Sequence, residues 1–351
     1  MTDVQIPLLI PPPDSEIGRP TLKTIAAATG LAIATVSRAL NDAPDIGEVT
    51  KRRVRETANQ LGYRPNRAGV RLRTGKTNVI ALVLSAEADV MNHTARLIYS
   101  IANGLRGTAY HLVVMPYFPD QDPMEPIRYI VDTGSADGII LNQTIPDDPR
   151  IRFLLERQVP VAAHGRTDMA VTHAYFDFDN EEFSRLGVRA LRQRGRRRLL
   201  LVAPPRVQSY ARHMITGFAE EAALRDCRFE IMEAVNSDSG LAVIEAAVGK
   251  RFEALLPPDG ILVGSSTAAM ASVAAAERLG FRIGTDFDVV AKEAIPTLRS
   301  FRRQMIVASE DVGAAGAFLS RAILALIDRA SPDVWQYLDR PTTLDLEEDK
   351  T

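Results

Sequence analysis

The chain has 351 residues, with 42 Lys+Arg against 44 Asp+Glu and a single cysteine, Cys227. That length suits a small head plus a body large enough for two lobes. One cysteine excludes an intrachain disulfide and cysteine-rich metal patterns, and it fits a reducing cytoplasm. The near-neutral total hides an uneven distribution, because residues 19–78 hold 12 basic against 4 acidic residues and the remainder 30 against 40. A basic head on an acidic body is the electrostatic footprint of a nucleic-acid partner.

Residues 1–18, with the run Pro11-Pro12-Pro13, read as a disordered leader: they lack a basic n-region, and their apolar run is too short for a secretory signal. The segment TLKTIAAATGLAIATVSRALN (21–41) then spells two short helices around Gly30. Leu22, Ile25 and Ala26 recur at helical spacing to pack on Val36 and Leu40. The second helix presents Ile33, Ala34, Thr35, Ser37 and Arg38, short enough to enter a major groove and able to reach bases and phosphates. Short Ala-rich helix pairs also occur in bundles, but Arg64, Arg67, Arg71, Arg73 and Lys76 follow directly, where phosphate neutralisation gives them a role. A third amphipathic helix is predicted over 49–61, with Val54, Ala58 and Leu61 buried and Gly62 as its cap. A basic linker containing Leu72 comes next.

From Asn78 onward, apolar runs at 79–84, 111–115, 137–141, 160–163, 198–202, 260–263 and 287–290 alternate with helical stretches. This rhythm predicts parallel sheet with crossover helices. Ligands of open α/β sheets bind outside the carboxyl ends of the strands, so the segments after these runs are the predicted pocket lining. There is no Walker pattern, no GxGxxG after the first strand and no HExxH, and no spacing suggests a set of nucleophile, base and orienter, so an enzyme is not indicated. The five histidines (His93, His111, His164, His173, His213) share no metal-ligand spacing, and no metal or other cofactor is expected. His164 and His213 remain candidates to line a pocket. No stretch is long and apolar enough to cross a membrane.

In order along the chain, TLKTIAAATGLAIATVSRALN, TKRRVRETANQLGYRPNRA and LRTGKT resemble the head of the LacI/GalR (lactose-repressor) family of transcription regulators. The resemblance covers nearly the whole chain. It implies a small all-α helix-turn-helix head (19–65), a hinge (66–77), an α/β periplasmic-binding-protein-like body of two doubly wound lobes (78–346) and a tail (347–351). It also implies a cytoplasmic homodimer on double-stranded, palindromic operator DNA, with recognition helices in the major groove and hinge helices in the minor groove. Ile33 and Ala34 fall at positions that vary with operator sequence, where thymine methyls are the natural partners of apolar side chains. Arg38 matches an arginine that reads a base, most naturally guanine through O6 and N7. Thr21, Thr35, Ser37, Asn41, Tyr63 and Asn66 match further DNA-contacting positions. Leu72 falls at the lever that wedges between base steps, with Arg73 beside it in the narrowed groove.

Ala32 and Gly47 stand where the family usually has a Ser cap, a loss of about 1 kcal/mol for Ala and less for Gly. Gly69 weakens an isolated hinge helix by roughly 1 kcal/mol relative to Ala, so the hinge is expected to fold only on DNA.

In the body, the segment YFDFDNEE (175–182) resembles the one that opens a helix of the second lobe. Matching strand ends implies an effector site of Ser85, Asn142, Arg166, Ser265, Ser266, Glu293 and Glu310, with Arg212 and Met214 near the position of the family's sugar-clamping arginine. Ser265-Ser266 replaces the usual Asn-Asp, Glu293 the usual Asp, and Glu310 stands near where glutamine is common. These swaps count against an ordinary hexose and point to another small polar metabolite, such as a polyol or modified sugar. The expected function is a ligand-controlled regulator, a repressor; the alternative is an architectural DNA-binding protein whose body is a scaffold. The helix near 96–105 is the candidate dimer surface, and the tail lacks the heptads of a tetramerising coiled coil.

Overall fold

The computed structural model describes residues 20–64, 75–86, 91–118, 120–342 and 344. The leader, Asn66, Gly69, Leu72, Arg73 and the tail lie outside the described residues. The chain divides into two compact units, Met1–Thr77 and Asn78–Thr351.

In the first unit, α1 (Leu22–Thr29), α2 (Ile33–Leu40) and α3 (Glu48–Gln60) enclose a core of Ile25, Ala26, Val36, Ala39, Val54 and Ala58. The Thr21 hydroxyl accepts from the Thr24 amide while the Thr24 hydroxyl accepts from the Thr21 amide, a reciprocal box that satisfies two orphan donors. Gly30, at φ 66°, makes the left-handed turn that lets α2 fold back over α1. Ala32 and Gly47 supply no side-chain cap to α2 and α3. Leu61 departs from expectation: α3 ends at Gln60, so Leu61 starts the turn toward Gly62 and is 36% exposed, out of phase with Val54 and Ala58.

The second unit is built on two sheets. The first contains β1 (Val79–Ser85), β2 (His111–Tyr117), β3 (Gly138–Asn142), β4 (Val161–His164), β5 (Ala174–Phe178) and β11 (Gln336–Asp339), in the order β11-β5-β4-β3-β1-β2. The second contains β6 (Arg198–Val202), β7 (Arg228–Ile231), β8 (Gly260–Val263), β9 (Asp288–Glu293) and β10 (Ile306–Ser309), in the order β10-β9-β8-β6-β7. Every named pairing is parallel, and each sheet reverses its strand order beside its first strand, the doubly wound arrangement.

Helices cover both faces of each sheet, which is why the central strands read as unbroken apolar runs. On the first sheet, Leu97 and Ile101 of α4 (Met91–Gly104) and Leu319 and Ile323 of α12 (Val312–Ile327) pack with Ile80, Leu82 and Ile140. On its other face, Ile127 and Ile130 of α5 (Met124–Thr133) and Ile151 and Leu154 of α6 (Pro149–Glu156) pack with Ala81, Val83, Ile139 and Leu141. The second sheet is covered by α7 (Asn180–Gln193) and α8 (Ser209–Leu224) on one face, through Phe183, Leu191, Met214 and Phe218. Its other face carries α9 (Leu241–Phe252), α10 (Ser266–Arg278) and the short α11 (Leu298–Phe301), through Ile244, Val248, Val273 and Leu298.

The chain passes between the lobes three times: after β5, after β10, and after β11, where Leu344 joins the core of the second lobe. Strands β5, β7, β10 and β11 escape the sequence pattern. β5 alternates aromatic residues with Asp177, while β7 and β11 are edge strands with exposed or half-exposed side chains.

Helices α7 and α8 meet at Gly217, where an added Cβ would stand 2.2 Å from the carbonyl oxygen of Glu181. Backbone cannot yield as a side chain does, so Gly217→Ala should destabilise the protein by about 1 to 3 kcal/mol in urea denaturation. Gly249→Ala, in α9 with nothing within 4 Å of the new carbon, should be neutral or stabilising by up to about 1 kcal/mol.

Candidate functional site

The head divides α2 between core and surface. Val36 and Ala39 are buried, whereas Ile33 (44% exposed), Ala34 and Arg38 face outward, with Thr35 and Ser37 half-buried. Arg38 is paired with the Asp45 carboxylate, and Asn41 donates its amide to the Ser37 carbonyl at 2.6 Å. Thr21 is exposed at the start of α1, and Tyr63 packs against the edge of the core. The outward row of α2 is therefore spared packing duty and carries the short and cationic groups that base edges and phosphates accept.

In the second unit, the carboxyl ends of both sheets border one cleft between the lobes. The first lobe contributes His93, Asn142, His164 and Asp177, and the second Ser265, Ser266, Lys292 and Glu293. Glu310, at the crossing between β10 and α12, stands among them. One of its carboxylate oxygens lies 3.1 Å from His93 Nε2 and the other 3.0 Å from Lys292 Nζ. Burial opposes the charge on Glu310, but Lys292 and His93 outweigh it and hold the carboxyl well below its ordinary range. Lys292 also donates to Asn180 Oδ1 at 2.9 Å and lies over the rings of Phe178 and Tyr210. Burial, with His93 nearby, pushes His164 down to about 3, leaving a neutral imidazole whose Nδ1 faces Asn142 Oδ1 at 3.3 Å. Burial raises Asp177 to about 7 even though Arg166 Nε lies 3.4 Å from its Oδ2.

Five of the nine effector residues expected from sequence line this cleft: Asn142, Ser265, Ser266, Glu293 and Glu310. Two of them are committed to backbone. The Glu293 carboxylate accepts from the amides of Thr297 and Leu298 at 2.8 and 2.9 Å, and the Ser265 hydroxyl accepts from the Ala268 amide at 3.1 Å while donating to the Ser237 carbonyl at 2.8 Å. The other four expectations need correction. Met214 falls on the buried stripe of α8 and is fully enclosed in the second-lobe core. Arg212 points out two positions away on the same helix, 57% exposed and 3.1 Å from Asp168 across the lobes. Arg166 stands behind Asp177, and Ser85 ends β1, both outside the lining.

Residues the sequence did not single out include His93, Asp177, Asn180, Tyr210, Asp238 and Thr267. Asp177 and Asn180 lie inside the YFDFDNEE segment, so that signal was present. His93 and Tyr210 carried none, since only folding brings α4 and the start of α8 to the strand ends.

A three-helix head whose second helix exposes short and cationic side chains, joined to a body of two parallel-sheet lobes around a polar cleft, defines a helix-turn-helix transcription regulator with a periplasmic-binding-protein-like domain. Residues 21–66 match the family model described as bacterial regulatory proteins, lacI family, and residues 188–334 match a periplasmic binding protein-like domain. The transcriptional regulator RafR of Escherichia coli is 31% identical over 230 residues, which span 64% of this chain and 68% of RafR. The regulator AglR of Rhizobium meliloti is 27% identical over 329 residues, 90% of this chain and 91% of AglR. Among solved structures, the lac repressor dimer bound to operator and the anti-inducer ONPF superposes with a TM-score of 0.81 at 19% identity, covering 93% of this chain and 97% of that one. A CelR–cellobiose complex superposes with a TM-score of 0.65 at 21% identity, covering 93% and 99%. The chain belongs to the lacI family of bacterial regulatory proteins, and like its relatives it is a DNA-binding regulator of transcription rather than an enzyme.

The raised pKa of Asp177 has a defined sign in stability. The unfolded chain loses this proton near 3.8 and the folded chain keeps it to about 7, so the folded state is favoured most below 3.8 and loses that contribution as pH rises toward 7. Asp177→Asn removes the dependence. Its stability relative to the parent, from urea denaturation at a series of pH values, should rise by up to about 1.4 kcal/mol per pH unit across that window.

Proposed function

We propose that the protein is a repressor that binds a palindromic operator as a dimer and is controlled by a small polar, sugar-like metabolite in the inter-lobe cleft. The observation that carries this reading is the cleft itself, where polar groups of both lobes converge beside the chain crossing at Glu310. The complex of CelR with cellobiose, a protein of the same fold, supports a sugar-like ligand. An effector acts by binding the DNA-competent and DNA-incompetent lobe arrangements with different affinity, and operator affinity changes reciprocally. Both an inducer and a corepressor satisfy that linkage.

In this reading the head (19–65) reads the major groove through Ile33, Ala34 and Arg38, with Thr35, Ser37, Asn41 and Tyr63 on the backbone, and Thr21 and, at the start of the hinge, Asn66 make further DNA contacts. The hinge (66–77) brings Leu72 and Arg73 to the minor groove. The dimer forms through the first lobe, where Tyr99 of α4 (72% exposed), Val113 and Val114 of the edge strand β2, and Phe118 just after it present apolar surface.

Selection of bound duplexes from a random library, with and without a metabolite pool, tests the reading: an enriched palindrome whose recovery changes with the pool is expected, and no enrichment overturns it. A palindrome indifferent to the pool, with flat calorimetry against sugars, polyols and sugar acids, would favour a scaffold body instead. Arg38→Ala should relax discrimination at one base pair by about 1 to 3 kcal/mol in competition binding. Equal losses on operator and random duplex would remove Arg38 from base reading. Sedimentation should show a dimer at micromolar concentration, and a monomer there would sink the dimeric arrangement.

A further inference from the structure

Three side chains in the cleft, far apart in sequence, come together with the donors of a transition-metal site. His93 comes from α4, His164 from the end of β4, and Glu310 from the crossing into α12. His93 Nε2 lies 3.1 Å and His164 Nε2 3.9 Å from the same oxygen, Glu310 Oε1, and the ligand atoms of all three lie within 4.8 Å of one another. Donors held about 2.0 to 2.1 Å from a tetrahedral ion stand about 3.3 Å apart, so modest torsional adjustment closes the set.

The hydrogen-bond pattern points the same way. Asn142 turns its Oδ1 to His164 Nδ1 at 3.3 Å, which places the ring proton on Nδ1 and the lone pair on Nε2. That Nε2 is buried without a hydrogen-bond partner and faces a carboxylate oxygen. Two acceptors facing each other in a buried place are reconciled by a cation between them. The surroundings resemble an outer shell: an amide oxygen fixes the tautomer of one histidine, and Lys292 engages the second oxygen of Glu310 at 3.0 Å, so that Oε1, which His93 Nε2 meets at 3.1 Å, is the oxygen turned toward both histidines. Two imidazoles and one carboxylate suit Zn²⁺, Co²⁺ or Ni²⁺ rather than Ca²⁺ or Mg²⁺.

We propose that His93, His164 and Glu310 bind one divalent transition-metal ion per chain, of the Zn²⁺ or Co²⁺ type, with a further coordination position open to the cleft. The Glu310 amide donates to the Glu293 carbonyl of β9 at 2.9 Å, so the ion ties two first-lobe histidines to a crossing anchored on the second lobe. It thereby biases the lobe arrangement on which the proposed effector control rests, while the metal site itself is independent of the effector's identity.

The test titrates chelator-stripped, tag-free, full-length protein with Co²⁺ and with Zn²⁺ alone, read by visible Co²⁺ absorption and by calorimetry. One saturable equivalent is expected, with Zn²⁺ displacing Co²⁺. Asn142→Ala should weaken binding by about 10- to 100-fold. His93→Gln and His164→Gln should each abolish it, and His111→Gln, an exposed histidine outside the cleft, should leave it unchanged. Circular dichroism establishes that the variants fold, and the half-buried His93 is the substitution least demanding on the core. No saturable binding at micromolar metal, or binding that survives in both cleft-histidine variants, overturns the site. The readout involves neither DNA nor effector, so its failure leaves the regulator reading intact, whereas failed operator selection would remove that reading and leave this one.

Discussion

Parallel strands deliver all their carboxyl ends to one edge of a sheet, and the body of this protein depends on that constraint. Both sheets are wholly parallel in their named pairings, so each lobe has one rich edge, and the two edges share a cleft. Two of the three crossings leave the carboxyl ends of β5 and β10 directly. Asp177, Asn180 and Glu310 are therefore both connectors and cleft groups. A change in how the lobes sit must be felt at these residues, because the backbone that carries them is the backbone that joins the lobes.

The cleft resolves its buried charge in two ways. Glu310 keeps its charge because Lys292 and His93 flank its two oxygens. Asp177, with Arg166 reaching it only at 3.4 Å, holds its proton into the neutral range. The difference is one of geometry rather than residue type: burial penalises both carboxyls, and closely placed partners, the Lys292 ammonium first and His93 second, offset it only for Glu310. Lys292 in turn is shared between Glu310 and Asn180, so the second lobe's lysine grips both the second and the first crossing.

Much of this architecture was legible in the sequence, for reasons that vary by element. The head was visible because Leu22 with Ile25 and Ala26, Val36 with Leu40, and Val54 with Ala58 each recur at helical spacing within their own helix to close so small a core. The central strands were visible because two-sided burial leaves them as bare apolar runs, as in GIIL and RLLLV. Edge strand β7 (RFEI) and the aromatic–acidic alternation of β5 carry no such signature. The cleft was half legible: strand ends such as Asn142 and Ser265 follow from topology, whereas a helical residue's direction depends on phase. Met214 and Arg212, two residues apart on α8, show the limit, one sealed in the core and the other at the rim. His93 was hidden because its role arises from tertiary juxtaposition alone.

The ion pair between Arg38 and Asp45 bears on how the head samples DNA. Both partners are about half exposed, which places the pair in the range of about 0 to 1 kcal/mol. In the proposed reading, every duplex that recruits Arg38 must first draw it from this internal rival. A base edge with two well-placed acceptors exceeds that threshold, and one offering a single poorly aligned acceptor falls near or below it. In the proposed reading, Asp45 is thus a weak internal competitor that a base edge or phosphate displaces when it engages the Arg38 guanidinium.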